Sequence, residues 1–212
     1  MKRLIPTFTA TSLIALALIG FSAKAQNLIL NGSFESPFVP VNTQSPTPPT
    51  SWLASGAYES IINGDYSSLY PLPQHGQQYA TVGNSSSLSQ AFTIGSPGIY
   101  VLTWFDSTEF NGPGQFSPYS VAVTGSVGNT VASANFEANA LGLRLWAPRS
   151  IQFALVPDTY TLRFDGHAGV FAERSLIDNV SIVPEPSSLA LVLVAGLMIF
   201  TGVCKTGKVV RQ

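Results

Sequence analysis

The sequence predicts an all-β fold, two antiparallel sheets packed as a jelly-roll β-sandwich, set between an N-terminal signal peptide and a C-terminal transmembrane helix. Three observations predict it. Short segments of alternating apolar and polar residues recur along the middle of the chain, separated by clusters of Gly, Pro, Asn and Ser. No stretch between Gln26 and Val183 shows sustained amphipathic helical periodicity. The same span is long enough to bury one core.

Taken in order, the expected strands are Asn27–Asn31, Gln78–Val82, Ser87–Ile94, Tyr100–Phe105, Ser120–Thr124, Thr130–Asn135, Ser150–Leu155, Tyr160–Asp165 and Leu176–Val183. Ser36–Ser51 carries Pro37, Pro40, Pro46, Pro48 and Pro49, so it reads as a loop or crossover. In Tyr160–Asp165 large apolar residues alternate with polar ones, the pattern of a half-buried strand. Tyr100, Leu102 and Trp104 interleave with Val101, Thr103 and Phe105, which predicts burial on both faces. Gly125–Gly128 reads as a hairpin turn and Gly166–Gly169 as a turn after a strand.

The two ends differ in kind from the middle. Lys2 and Arg3 precede an apolar core, Leu13–Phe21, and Ala23-Lys24-Ala25 places small residues where a signal peptidase reads them. Cleavage is expected after residue 25, leaving Gln26 first. At the other end Pro184-Glu185-Pro186-Ser187-Ser188 precedes an apolar run of 15 residues, Leu189–Val203, followed by Lys205, Lys208 and Arg211. As a helix that run covers about 22 Å, so it spans a bilayer with the help of its flanks and of snorkelling lysines.

Charge follows the same division. Of 10 Lys and Arg, only Arg144, Arg149, Arg163 and Arg174 lie in the middle, against ten of the 11 carboxylates. Basic ends that stay in the cytoplasm and an acidic middle that crosses fit the positive-inside rule. The acidic middle excludes nucleic acid as a partner, since no basic patch can neutralise phosphates. The one cysteine, Cys204, sits at the edge of the C-terminal apolar run, so disulfides play no part in the middle domain.

The box at Pro184–Pro186, the short apolar helix and the basic tail closely resemble the PEP-CTERM sorting domain of bacterial exported proteins. That resemblance implies a substrate of an exosortase-type transpeptidase, with Pro184, Glu185 and Pro186 read for sorting. It gives three regions: signal peptide 1–25, ectodomain 26–183 and sorting segment 184–212. The middle resembles galactose-binding-like jelly rolls. More narrowly, it resembles a domain of unknown function known from plant cell-wall proteins. The residues that carry this are Asn27–Pro37, Trp52, Gly56–Glu59, His75–Gln78, Leu88–Phe92, Gly98–Tyr100 and Ile177–Val180.

Candidate site residues follow from both lines. Alternation through Leu176–Val183 puts Asp178 on one face with Leu176, Val180 and Ile182, and a carboxylate on an apolar face needs a partner. Backbone N–H groups or Arg174 are one solution. The resemblance implies another, a structural calcium held by Glu35 and Asp178 where the first and last strands meet, with carboxylates and carbonyls as hard oxygen ligands. Trp52, Tyr58, Tyr66, Tyr70 and His75 lie in loop-like stretches, and Tyr119 and Trp146 border turns, so they are candidate sugar-stacking residues or ordinary packing residues. Asp106 and Glu109 form a tight acidic pair that reads as solvated turn residues, and His75 and His167 stand apart from any triad or zinc spacing. The expected protein is therefore exported and non-catalytic, displayed at the cell surface or in the extracellular matrix. It is expected to bind exopolysaccharide or biofilm matrix, with a sugar-blind structural matrix protein and a small glycan hydrolase as the alternatives.

Overall fold

Among the described residues eleven strands are arranged so that the last of them lies inside a sheet rather than at its edge. The computed structural model describes residues 26–56, 61–109, 116–139, 145–167 and 174–185. The expected signal peptide, Tyr58 and the sorting segment from Pro186 onward, with its apolar run, lie outside the described residues. Among the described residues no helix is long and apolar enough to cross a membrane.

The strands are β1 (Gln44–Ser45), β2 (Leu53–Gly56), β3 (Ile61–Asn63), β4 (Gln78–Gly83), β5 (Ser86–Ile94), β6 (Gly98–Thr108), β7 (Phe116–Gly125), β8 (Thr130–Asn139), β9 (Ala147–Leu155), β10 (Asp158–Gly166) and β11 (Arg174–Pro184). They form a six-stranded sheet ordered β1-β3-β4-β11-β6-β9 and a five-stranded sheet ordered β2-β5-β10-β7-β8, every pairing antiparallel. The sandwich unit spans Gln26–Glu185. Two sheets face to face, joined by crossovers, are the predicted jelly roll.

Alternation explains the strands that frame the core. Along β7, Tyr119, Val121 and Val123 point inward while Ser120, Ala122 and Thr124 face out. Along β10, Tyr160, Leu162 and Phe164 point inward and Thr161 and Arg163 face solvent. The inner faces meet in a chain of aromatic contacts: Phe34 to Trp52 at 5.3 Å, Trp52 to Phe164 at 6.3 Å, Phe164 to Trp104 at 5.8 Å and Trp104 to Phe136 at 5.0 Å. In β6 only one face is fully buried: Tyr100, Leu102 and Trp104 join the core, Val101 and Phe105 are half-buried, and Thr103 is exposed.

The N-terminal segment Asn27–Asn31 is not the strand its sequence suggests. Its polar groups are met one by one instead. Asn27 Oδ1 accepts the Ile182 N–H at 3.0 Å, and the Leu28 N–H donates to Ile182 O at 2.9 Å. The Gln90 side chain imitates a strand, accepting the Leu30 N–H at 2.7 Å and donating to Leu30 O at 2.8 Å. Gly32 accepts the Val180 N–H at 2.8 Å so closely that any Cβ there would collide with the Val180 carbonyl.

Both termini of the sandwich leave by one end. Asn27 lies beside Ile182, and Glu185 donates its N–H to Ile99 O at 2.9 Å. The short connections 95–97, 126–129 and 156–157 share that end. Pro184 is itself the last residue of β11, so the strand runs one residue further than expected and enters the Pro-Glu-Pro box.

Candidate functional site

The connection between β3 and β4 places the candidate residues. Residues 64–77 leave Asn63 at one end of the six-stranded sheet and lie over its outer face, where a second cluster forms from Ile62, Tyr70, Tyr79 and Leu176 with Tyr66 and Trp146 packed against it. Ile61–Asn63 is buried throughout, and Ile62 belongs to this cluster.

A buried glutamine fixes the root of the loop. Gln78 is fully buried; its Nε2 donates to Phe34 O at 2.6 Å and Pro37 O at 3.0 Å, while its Oε1 accepts from the Val39 N–H and from Asn63 Nδ2 at 3.3 Å. Asn63 completes the set by donating to Val39 O at 2.6 Å. Every polar atom of the Gln78 amide thus has a partner, which is what permits its burial.

Two carboxylates hold the far half of the loop. Glu35 Oε1 accepts the Gln77 and Gln78 N–H groups at 2.8 and 2.9 Å. Gly76 sits against that carboxylate, in a left-handed conformation (φ +73°) and with no room for a Cβ. Asp178 is fully buried; Oδ2 accepts the Gln74 and His75 N–H groups, both at 2.9 Å, and Oδ1 accepts the Asn179 N–H at 2.6 Å. Burial pushes the Asp178 carboxyl up to about 7, the three N–H groups pull it down, and the nearby Glu35 charge raises it further.

Asp178 does not share a face with Val180 and Ile182. Asn179 adopts a positive φ of 53° and the register slips between Asp178 and Ser181. This bulge leaves Leu176 and Asp178 on the outer, loop-covered side and turns Val180 and Ile182 into the main core. The backbone N–H solution anticipated for Asp178 is present. Arg174 is directed elsewhere, with Nη1 donating to the Tyr70 hydroxyl at 3.0 Å.

The aromatic candidates divide by burial. Trp52 is a core residue, 4% exposed, with its Nε1–H on Asn31 O at 3.1 Å, so it cannot serve as a sugar platform. Tyr70 is also corrected: it is buried, and its hydroxyl donates to Glu109 Oε2 at 3.0 Å. Tyr119 lies in the main core. Tyr66 and Trp146 are half-buried at the rim of the second cluster. Tyr66 packs edge-on against Tyr70 at 5.6 Å; Trp146 packs edge-on against Tyr79 at 5.4 Å and donates its Nε1–H to Leu72 O at 2.7 Å. His75 is exposed, anchored through its backbone to Asp178.

The acidic pair is separated rather than solvated. Asp106 belongs to β6 and is buried between the sheets, where Oδ2 accepts from the Tyr119 hydroxyl at 2.6 Å and Arg149 Nε at 2.8 Å. Arg149 also donates to Glu137 O at 3.0 Å and lies over the Phe136 ring at 5.7 Å. Burial holds the Asp106 carboxyl above its usual range against the opposing Tyr119 and Arg149 hydrogen bonds. Glu109, by contrast, serves the second cluster through Tyr70. Among the described residues no group of three or more His, Cys, Asp or Glu could hold a metal ion, so a cation between Glu35 and Asp178 would need backbone oxygens as further ligands.

No family model matches the chain, and no curated protein matches it. Solved structures do. TmCBM61 in complex with β-1,4-galactotriose is 18% identical with a TM-score of 0.54, over 76% of this chain and 100% of that one. A structure described as "CBM4 structure and function" is 16% identical with a TM-score of 0.48, over 74% of this chain and 99% of that one. The CBM22-1 xylan-binding domain from Paenibacillus barcinonensis Xyn10C is 13% identical with a TM-score of 0.48, over 76% and 95%. The first of these likenesses shows that the chain shares the jelly-roll sandwich fold of TmCBM61. At these identities the likeness speaks for the fold alone.

Proposed function

We propose that this chain is an exported, non-catalytic polysaccharide-binding protein, delivered by its signal peptide and processed by an exosortase-type system at Pro184–Pro186. The observation that carries the binding reading is the rim of the second cluster. There Tyr66 and Trp146 are half-buried, beside a Tyr70 hydroxyl that links Arg174 and Glu109. Aromatic planes with polar groups at their edge suit a sugar ring, which has an apolar face and a hydroxylated perimeter. The fold supports the same reading, and exopolysaccharide is the matching partner for a protein carried to the surface.

Calcium belongs to this proposal as a structural ion. Glu35 and Asp178 supply two hard oxygen donors on either side of residues 74–78. Bringing these two anions together raises the Asp178 carboxyl, and a cation between them would relieve that repulsion. Bound there, it would stiffen the loop that carries Tyr66.

Sorting has one structural requirement. Pro184 lies in β11 and Glu185 is bonded to Ile99, so processing inside the box needs the C-terminal end of that strand to fray. The binding test is a polysaccharide panel run by affinity electrophoresis with the full chain, with and without chelator. Tyr66→Ala and Trp146→Ala should each weaken the best ligand about tenfold. Failure of every polysaccharide to bind favours a structural matrix role, and turnover of a bound glycan would point to a hydrolase.

A further inference from the structure

The end of the sandwich by which the chain leaves carries apolar tips. Val127, in the turn between β7 and β8, is 86% exposed, and Val156, between β9 and β10, is 62% exposed. Ile99, near the start of β6, is 43% exposed. Register places all three at one end, since Gly98 pairs with Leu155, Gly125 with Tyr160 and Tyr100 with Pro184. Pro97 and Pro157 are exposed in the same connections and have no N–H to leave unpaired.

Backbone polar groups at these tips already have partners within the protein. The Tyr160 hydroxyl accepts the Val156 N–H at 3.3 Å and donates to Val156 O at 3.0 Å. The Tyr100 hydroxyl donates to Ser96 O at 2.8 Å. Around Val127, the Gly125 N–H donates to Asn129 O and the Gly128 N–H to Gly125 O, both at 2.9 Å, and the Ser126 N–H donates to Asp158 Oδ2 at 3.3 Å. Water would serve these groups equally well; at a lipid interface the partners must come from the protein.

Charge and chain length say which surface fits. Asp158 and Glu185 are the charged residues here, and 95–99, 125–130 and 155–159 contain no lysine or arginine. An anionic surface would repel this end, whereas a zwitterionic one would not. Glu185 is held to Ile99 O at 2.9 Å, and only residues 186–188 separate it from the apolar run that begins at Leu189. Four residue steps reach at most about 14 Å. We infer that this end is a membrane-docking surface, with Val127, Val156 and Ile99 resting in the interface of a zwitterionic bilayer. The contact rests on the sorting reading, which supplies the anchor, and goes beyond it, since an anchor alone leaves the sandwich free to turn away.

The test uses the full chain reconstituted in phosphatidylcholine vesicles, with Cys204→Ser removing its one cysteine. A polarity-sensitive fluorophore is attached at Val127→Cys, at Val156→Cys or at Asn84→Cys. Asn84 is exposed in the turn between β4 and β5, at the other end of β5 and about 27 Å away. Lipids brominated in their acyl chains should quench the labels at 127 and 156 several-fold more than the label at 84. Adding Val127→Asp to the chain labelled at 156 should abolish most of that quenching, with the melting temperature unchanged. Equal, weak quenching at all three positions in a chain that floats with the vesicles overturns the docking and leaves the anchor standing. Strongest quenching at 84 overturns it as well, because the opposite end would then face the lipid. If the chain does not float with the vesicles, anchor and docking fall together.

Discussion

Replacing Asp178 by Asn converts its unusual acidity into a measurable slope. The folded carboxyl titrates near 7, whereas an unfolded Asp titrates near 3.9. Between those values the native state keeps a proton that the unfolded chain has released, so stability falls as pH rises. The contribution is fully present below about pH 4 and is lost as pH rises through the folded value. Integrated from pH 5 to pH 8, the loss is about 2.5 kcal/mol. Asn does not titrate, and the acceptor it lacks costs the same at every pH. In chelator, urea unfolding should therefore show the stability difference between wild type and Asp178→Asn moving by about 2.5 kcal/mol over that range, the wild type losing ground as pH rises. Parallel curves would refute the reasoning, because burial and the Glu35 charge would then not be opposing ionisation. A slope of opposite sign would mean that the three backbone N–H groups dominate. Calcium at a hundredfold over its dissociation constant should return about 2.7 kcal/mol to the wild type at pH 8 and less to the variant. An unchanged melting temperature would remove the ion from the proposal.

Two further outcomes follow from buried polar groups. Gln78→Leu should cost about 3 kcal/mol or more in urea unfolding, because Phe34 O, Pro37 O and the Val39 N–H all lose their partner; a cost below about 1 kcal/mol would mean that these groups find substitutes. Arg149→Met should cost about 3 kcal/mol at pH 7, since it leaves Asp106 buried without its cation. Part of that loss should return on acidification, because burial raises the Asp106 carboxyl and protonation removes the charge left unpaired; a cost independent of pH would count against this.

The sequence shows the sandwich where strands alternate and conceals it where they do not. The strands β5, β7 and β10 each have one face in the core and one toward water, so their periodicity is visible and their extents were anticipated within a few residues. By contrast β1, β2 and β3 run for two to four residues, too short for a period to register. Asn27–Asn31 reads as a strand with Leu28, Ile29 and Leu30 as its apolar run, yet side-chain amides of Asn27 and Gln90 replace the ladder. The face of Asp178 was misjudged because one positive φ, at Asn179, reverses the alternation after it. Trp52 and Tyr66 occupy similar loop-like sequence, and only the tertiary packing makes one a core residue and leaves the other at the rim. Gln78 stood inside a recognised stretch, His75–Gln78. Its organising role depends on partners about 40 residues away, which no local pattern displays.

The position of β11 has a consequence in time as well as in space. It is the last strand made, yet it lies between β4 and β6, and its bulge receives Asn27 and Gly32 from the very start of the domain. Until Arg174–Pro184 arrives, the six-stranded sheet exists as two unjoined halves, and the opening segment has nowhere to dock. Contacts spanning some 150 residues must close last, and such long closures fold slowly. A chain threaded through a pore with its N-terminus first would therefore stay unfolded until its final strand emerged. Completion of the fold would report that nearly the whole domain had reached the far side.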